Sequence, residues 1–362
     1  MPSRRTARKD TNTRRKILGQ EAGVENVAPV LENVDGKERL QVSIHTLQIA
    51  MDCRTRLLLR LAGLMDIGLP PPGSYVSMVA GSWMHKALAA WLTKEDWKVV
   101  LAPYKTMSEE LAITEDRRGY DNLIAIMTEV VGRYPLARLP FEVLKPEISF
   151  VAPLGVLADG TPVDLIGYID ALVQDKRTGQ RFILEHKTTG KLDEAFTRRF
   201  AEYDVQTTSY MLAAETVLGE KIGDAWVNAI EMAKVPSSDR KCNKHGVQYE
   251  ECGPMHVKQA FIPARRTPED LEEFRARALD ICERYVLPVA RALERRGPSV
   301  STRTPRDGKF TGACDYCEYS RWCLTSNRSP NALNGMLKKA PQADDDRLRS
   351  GLVKVEHADK SS

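Results

Sequence analysis

Charged residues set inside strand-forming sequence constrain this chain more than any other feature. Residues 164–174 and 181–187 are two apolar, β-type runs separated by the turn formers Lys176-Arg177-Thr178-Gly179, a pattern that predicts two strands joined as a hairpin. Asp170 lies in the first strand, and Glu185 and Lys187 lie in the second. Side chains alternate along a strand, so Glu185 and Lys187 share one face while Leu184 and His186 take the other. The hairpin can bring Asp170 beside them. Two carboxylates and an ammonium in an otherwise apolar sheet need partners, because unpaired buried charge is costly.

A hard-metal site would supply such a partner. Mg²⁺ takes oxygen ligands, keeps several waters, and is commonly held by one or two carboxylates plus substrate phosphate oxygens. At a phosphodiester, a metal ion lowers the pKa of bound water and neutralises charge developing on phosphorus. Lys187 would then orient or deprotonate the water and stabilise the transition state. The plain alternative is a surface hairpin whose Glu185 and Lys187 form a solvated charged stripe, and a Glu-x-Lys triplet alone does not separate the two. Two neighbouring patterns add to the metal reading. Gly81 and His85 are one turn apart on a predicted helix, where glycine permits close approach of another backbone and His85 offers an imidazole. Gln206 and Tyr210 are likewise four residues apart, presenting an amide and a phenol together. Taken singly, each pattern is ordinary helix surface or core.

Around these residues the chain reads as mixed α/β. Residues 42–64 predict a helix with Leu47, Ala50, Leu57 and Leu61 inward, and Pro70-Pro71-Pro72-Gly73 breaks the chain after it. Helices are expected over 81–91, 108–133 and 204–218, and the sheet is expected to begin at 147–151. Further strands are expected over 225–232 and 256–262, with a polar excursion at 234–253 between them. Thr267-Pro268-Glu269-Asp270 is a helix start: a capping hydroxyl, proline in the first turn, then acids at the positive end of the dipole. Residues 1–38, crowded with Arg4, Arg5, Arg8, Lys9, Arg14, Arg15 and Lys16, read as a disordered basic tail. Residues 326–362, with Asp344-Asp345-Asp346, read as a second tail, leaving one domain over 39–325.

Composition sets wider limits. The hydrophobic share of 42% and charged share of 28% suit a globular protein, and the net charge of +4 permits nucleic-acid binding without arguing for it. No apolar run is long enough to span a membrane and no secretory signal is evident, so an intracellular, cytoplasmic location is expected. In that compartment the seven cysteines are expected to be reduced thiols, metal ligands or catalytic groups rather than disulfides. Cys314, Cys317 and Cys323 form a C-x2-C-x5-C cluster beside Tyr319 and Trp322, and a fourth thiolate would complete a zinc or iron–sulfur set. Spacing alone does not choose between them. Cys242, Cys252 and Cys282 stand outside the pattern.

Taken in order, these residues resemble a known family. Cys53 leading into Arg54-Thr55-Arg56-Leu57, Gly81-x-x-x-His85, Gly167-x-x-Asp170, Glu185-x-Lys187, Gln206-x-x-x-Tyr210 and the cysteine triplet are similar to the PD-(D/E)XK nuclease superfamily. The likeness is to its RecB-like branch, which includes the Cas4 exonucleases and the nuclease domain of AddB. The resemblance implies a restriction-endonuclease-like core, a central mixed β-sheet flanked by helices, with a C-terminal cysteine cluster. It implies that His85, Asp170 and Glu185 ligate Mg²⁺ or Mn²⁺ with the backbone carbonyl of His186, that Lys187 is the catalytic lysine, and that Gln206 and Tyr210 position DNA. It also implies that Cys53, Cys314, Cys317 and Cys323 hold a [4Fe-4S] cluster, joining elements about 260 positions apart. The expected activity is hydrolysis of DNA phosphodiesters at single-stranded or free ends, in recombination, repair or CRISPR adaptation, with a phage among the expected sources of the chain. Arg198 and Arg199 are expected among the phosphate contacts. Two readings compete with it: a catalytically silent DNA-binding subunit, and a zinc-stabilised protein of other chemistry. The family's proline after the first cysteine is Arg54 here, and the 234–253 segment with Cys242, His245 and Cys252 has no family role.

Overall fold

Ser43 is where the first strand becomes the first helix. In the computed structural model, Leu31–Val34 (β1) and Lys37–Ser43 (β2) pair as an antiparallel hairpin, and the Ser43 hydroxyl accepts the Thr46 N–H at 3.2 Å to cap Ile44–Asp52 (α1). The single helix expected over 42–64 is therefore the end of β2, then α1, then Arg54–Leu61 (α2). The two helices are separated by Cys53, whose backbone is extended (φ −167°, ψ 120°). Residues 31–34, 37–66, 72–110, 113–114, 117–219, 222–232, 257–297, 305, 307–308, 314, 317, 319–324 and 337–339 are described. The 234–253 segment lies outside them, as do residues 1–30 of the expected tail.

Both tail boundaries shift. The expected basic tail to residue 38 ends earlier, because β1 lies inside it and Leu31 pairs with the buried Leu40. The expected tail from 326 contains Leu337–Lys339 (β9), which pairs antiparallel with Leu64–Asp66 (β3). The next helix, Pro72–Leu92 (α3), begins within the proline run and not at Gly81, since proline fits the first turn of a helix. The helix expected over 108–133 is two, Trp97–Glu110 (α4) and Tyr120–Arg133 (α5). Gly119 caps the second, and a Cβ there would come within 2.5 Å of the carbonyl oxygens of Ile113 and Thr114. The chain turns too tightly at that point for a continuous helix.

The rest of the sheet follows as Phe141–Val156 (β4), Pro162–Asp175 (β5) and Arg181–Thr189 (β6). Helices Glu194–Glu202 (α6) and Val205–Leu218 (α7) precede Asp224–Glu231 (β7) and Gln259–Arg265 (β8). Pro268–Ile281 (α8) has the predicted capping box: the Thr267 hydroxyl accepts the Asp270 N–H, and Asp270 accepts the Thr267 N–H. It runs through a π turn, Cys282–Val286, into Leu287–Arg296 (α9), and Ser320–Cys323 (α10) lies near the end.

Seven strands form one mixed sheet, ordered β1-β2-β5-β6-β7-β8, with β4 also paired to β5. The β2/β5 and β6/β7 pairs are parallel and the others antiparallel. This is the mixed α/β sheet flanked by helices that the sequence predicted. One face is covered through Leu47, Ile49, Tyr210, Met211, Leu271 and Ile281, from α1, α7 and α8. The other is covered through Met84, Leu88, Leu101, Leu123 and Met127, from α3, α4 and α5.

Asp164 of β5 is buried and is held by Arg39 of β2, whose Nη1 lies 2.8 and 2.6 Å from its two oxygens. Removing one partner of a buried pair leaves an uncompensated charge. Because Arg39 is 36% exposed, the cost of Arg39→Ala should fall below the ~3–5 kcal/mol of a fully buried pair, at about 2 kcal/mol. Urea denaturation of Arg39→Ala would measure it, and a loss under about 0.5 kcal/mol would refute a structural role for the pair.

Candidate active site

A strand has two edges, and β5 pairs with three strands. β4 runs along one edge, from Phe141↔Asp175 to Val156↔Pro162. β2 and β6 must therefore share the other edge, β2 against residues 163–166 and β6 against residues 171–174. Between them, residues 167–169 have a strand partner on the β4 side alone, and Asp170 has a register partner on neither side. The sheet forks there, and Asp170 stands at the last position before β6 joins.

The ladder is irregular at the same point. Ile169 packs into one core layer and Ala171 into the other, although strict alternation would place them on the same face. Across from Asp170, Glu147 of β4 has φ +41°, a backbone conformation uncommon and strained for a residue other than glycine. The twist lets Asp170 turn toward β6, where its Oδ2 accepts the His186 N–H at 2.7 Å. A side-chain oxygen thus takes the hydrogen bond that a continuing ladder would have given to backbone. In an extended strand the N–H and C=O of one residue point to the same side, so the His186 carbonyl also faces this fork.

Glu185 and Lys187 lie on the α7 side of β6. Lys187 Nζ contacts Glu185 Oε1 and donates to Gln206 Oε1 at 2.8 Å, and Gln206 Nε2 donates to the Tyr210 hydroxyl at 2.7 Å. The two residues of α7 predicted as a pair do meet, and they continue the hydrogen-bonded line that begins at Glu185. Gly167 makes room for it: a Cβ there would lie 2.9 Å from Phe150 Cζ, and the Phe150 ring packs edge-on against Tyr210 at 5.9 Å. From the other side α3 supplies His85, whose Nδ1 is 3.5 Å from Asp170 Oδ2. Gly81 lets α3 approach, since a Cβ would lie 3.0 Å from the Thr188 hydroxyl of β6.

Burial works against the charge on Asp170, but His85 and the His186 N–H outweigh it and hold this carboxyl below the usual range. Burial would lower His85, and facing Asp170 raises it instead. Burial and the charge of Asp170 push Glu185 up to about 8, against the pull of Lys187. Burial would lower Lys187, but contact with Glu185 raises it. The last two effects oppose each other, since Lys187 gains from an ionised Glu185. With Nζ in direct contact with Oε1, the direction that stands for the pair is a proton kept on Lys187 beside a carboxylate that is costly to ionise. His186 is pushed down to about 4 by burial.

Among the described residues no group of three or more His, Cys, Asp or Glu side chains is arranged to hold a metal ion. The donor set still suits a hard cation that takes only one or two carboxylates from protein. Glu185 Oε2 is buried with no hydrogen-bond partner among the described residues, and Asp170 and Glu185 raise the free energy of each other's charge.

Sequence reading missed two residues. Asn228 of β7 is fully buried and bonds His186 Nδ1 at 2.9 Å, and Gln259 of β8 donates to Asn228 Oδ1 at 2.8 Å. The available signal was Asn228 alone among Trp226, Val227, Ala229 and Ile230. Arg198 and Arg199 lie on α6, and Arg199 is 3.6 Å from Asp204 and directed to the start of α7.

At the far end of α1, Cys53 is buried, as are Cys317 and Cys323, which share a small core with Leu59, Tyr319 and Trp322. Cys314 is half-buried. Arg54 donates to both carboxylate oxygens of Asp307 at 2.9 Å. The Thr55 hydroxyl donates to the Pro305 carbonyl at 2.7 Å, and the Tyr319 hydroxyl to the Leu64 carbonyl at 2.7 Å. The start of α2 is thereby tied to the segment that carries the cysteine triplet.

No helix among the described residues is long and apolar enough to cross a membrane. No curated protein matches this chain by sequence. Among solved structures it is similar to one described as "Crystal structure of SSO0001", at 11% identity, with 88% of this chain and 96% of that chain covered. The TM-score of 0.30 is too low to carry an argument. A family model does match, over residues 41–324, a span that holds the fork, both carboxylates, the lysine and the cysteine triplet. By that match the chain belongs to the PD-(D/E)XK nuclease superfamily.

Proposed function

We propose that this protein is a metal-dependent DNA nuclease with its catalytic centre at the fork between β5 and β6. The observation that carries the reading is the convergence of Asp170, Glu185 and Lys187 there, with one oxygen of Glu185 buried and unpartnered among the described residues. Asp170, Glu185 and His85, with the His186 carbonyl, would hold Mg²⁺ or Mn²⁺. Bound there, the ion would supply Lewis acidity toward a phosphate oxygen and a more acidic water. Lys187 is held as an ammonium by Glu185, which suits it to donate to charge building on the phosphoryl group more than to remove a proton. Gln206 is braced between Lys187 and Tyr210; it would orient the lysine and, with Tyr210, position the DNA strand.

The finer reading is an exonuclease of the RecB-like, Cas4-like branch acting on single-stranded or free DNA ends. It takes a [4Fe-4S] cluster on Cys53, Cys314, Cys317 and Cys323. The ties from Arg54, Thr55 and Leu59 to the C-terminal segment support that placement. Its role would be structural, and zinc is the alternative occupant. Iron and zinc analysis of anaerobically purified protein would separate the two. A catalytically silent DNA-binding subunit remains the competing reading of the chain.

Digestion of end-labelled single-stranded DNA with Mn²⁺, Mg²⁺ or chelator is the direct test. Cleavage should require metal, fall to background in Glu185→Ala, and fall ~10²–10³-fold in Lys187→Ala. A folded wild-type protein that cuts neither single-stranded, duplex nor flapped DNA would leave the silent subunit in its place.

The pH dependence of metal binding follows from Glu185. With Glu185 pushed up to about 8, the Glu185–Lys187 pair holds an extra proton below that pH, and an incoming cation must displace it. Mn²⁺ affinity should therefore rise with pH between about 6 and 8. Calorimetry in buffers of different ionisation enthalpy should record proton release below pH 8. The same sign applies to folding: with its pKa raised on folding, Glu185 contributes stability that is lost as pH rises from 4.5 toward 8. Metal affinity that is flat across this range would remove Glu185 from the ligand set.

A further inference from the structure

With the amides as placed, the buried polar chain behind the fork runs in one direction, from Gln259 through Asn228 to His186. Gln259 Nε2 donates to Asn228 Oδ1 at 2.8 Å, which turns the Asn228 amide nitrogen toward His186. That nitrogen lies 2.9 Å from His186 Nδ1. An amide nitrogen can only donate, so Nδ1 must be the acceptor and the ring hydrogen of His186 is on Nε2. Nε2 is buried with no hydrogen-bond partner among the described residues, and His186 itself is 2% exposed. A buried donor left unmade costs about 1–3 kcal/mol, and in a native protein it points to a function. The His186 ring stands at 84° to that of His85, with centroids 6.1 Å apart. His85 in turn directs Nδ1 to Asp170 at 3.5 Å, which would leave Nε2 as the nitrogen able to ligate a cation.

We propose that Gln259 and Asn228 fix the tautomer and ring plane of His186, and that His186, perpendicular to His85, holds His85 with Nδ1 on Asp170 and Nε2 turned to the cation. The inference rests on the proposed metal site. Asn228, Gln259 and the His186 ring are positioning residues, acting through His85 without touching substrate. They carry the influence of β7 and β8 to a centre built by α3, β5 and β6. Outside the centre, the observation that supports this is the direction of two hydrogen bonds.

Asn228→Asp is the test, because it keeps the shape and reverses the bond: a carboxylate oxygen facing Nδ1 accepts where the amide donated. The chain has six histidines, few enough for long-range ¹H–¹⁵N spectra of protein labelled on histidine to assign the His186 tautomer. The wild type should carry the His186 hydrogen on Nε2 and Asn228→Asp on Nδ1. Mn²⁺ affinity by calorimetry should fall by about tenfold in the variant, with the thermal midpoint little changed. Gln259→Leu, at a partly buried position, serves if Asn228→Asp does not fold; it frees the amide to turn, and should give a mixture of tautomers and a smaller loss of affinity. A wild-type His186 with its hydrogen on Nδ1 would overturn the inference. So would wild-type Mn²⁺ affinity in whichever variant folds, despite the changed tautomer, while the metal site itself stood. A wild type that binds no Mn²⁺ would overturn the metal site and this inference together.

Discussion

Strand β5 lends one edge to two neighbours, and residues 167–169 between them have a strand partner on the other side only. Everything else at the centre depends on that shortage of partners. Backbone groups buried without a hydrogen bond are costly, so the fork must be closed by side chains, ligand or water. Asp170 closes part of it by accepting the His186 N–H. That bond fixes the carboxylate of one strand against the backbone of the next, and so sets where Glu185 and Lys187 stand relative to Asp170.

The two sides of the sheet then contribute different chemistry. On the α7 side, Glu185, Lys187, Gln206 and Tyr210 form a continuous hydrogen-bonded line in which each group has a defined partner. On the α3 side, His85 and His186 meet as perpendicular rings, with Asn228 and Gln259 behind them. Both helices come close because glycine is placed where a side chain would intrude, Gly81 against Thr188 and Gly167 against Phe150. The arrangement concentrates two histidines, one lysine and two carboxylates in an otherwise apolar interior. Bringing two carboxylates together is unfavourable in itself, and burial makes it worse for Glu185. Sites of this kind persist where the charge has a use.

A second constraint joins the ends of the domain. Arg54 and Thr55 at the start of α2 grip Asp307 and Pro305, and Tyr319 bonds the backbone at Leu64. The Arg54 guanidinium makes a two-point bond to Asp307. The family resemblance drew Cys53 and the cysteine triplet together, and the tertiary structure ties their flanking residues to each other.

By itself the sequence determined the hairpin of β5 and β6, the sharing of a face by Glu185 and Lys187, the pairing of Gln206 with Tyr210 and the capping box of α8. These are consequences of local periodicity and of hydrogen bonds spanning a few residues. The same local signals misplaced boundaries. Ser43 as a cap and Gly119 at a tight turn split what periodicity alone reads as long helices, and apolar Leu31 drew part of an expected tail into the sheet. The roles of Asn228 and Gln259, the break in alternation at Asp170 and the strained backbone of Glu147 were decided only by tertiary structure. Each depends on which strand lies beside which. β2 and β6 are adjacent on β5 although more than a hundred residues separate them in the chain, and no local pattern encodes that shared edge.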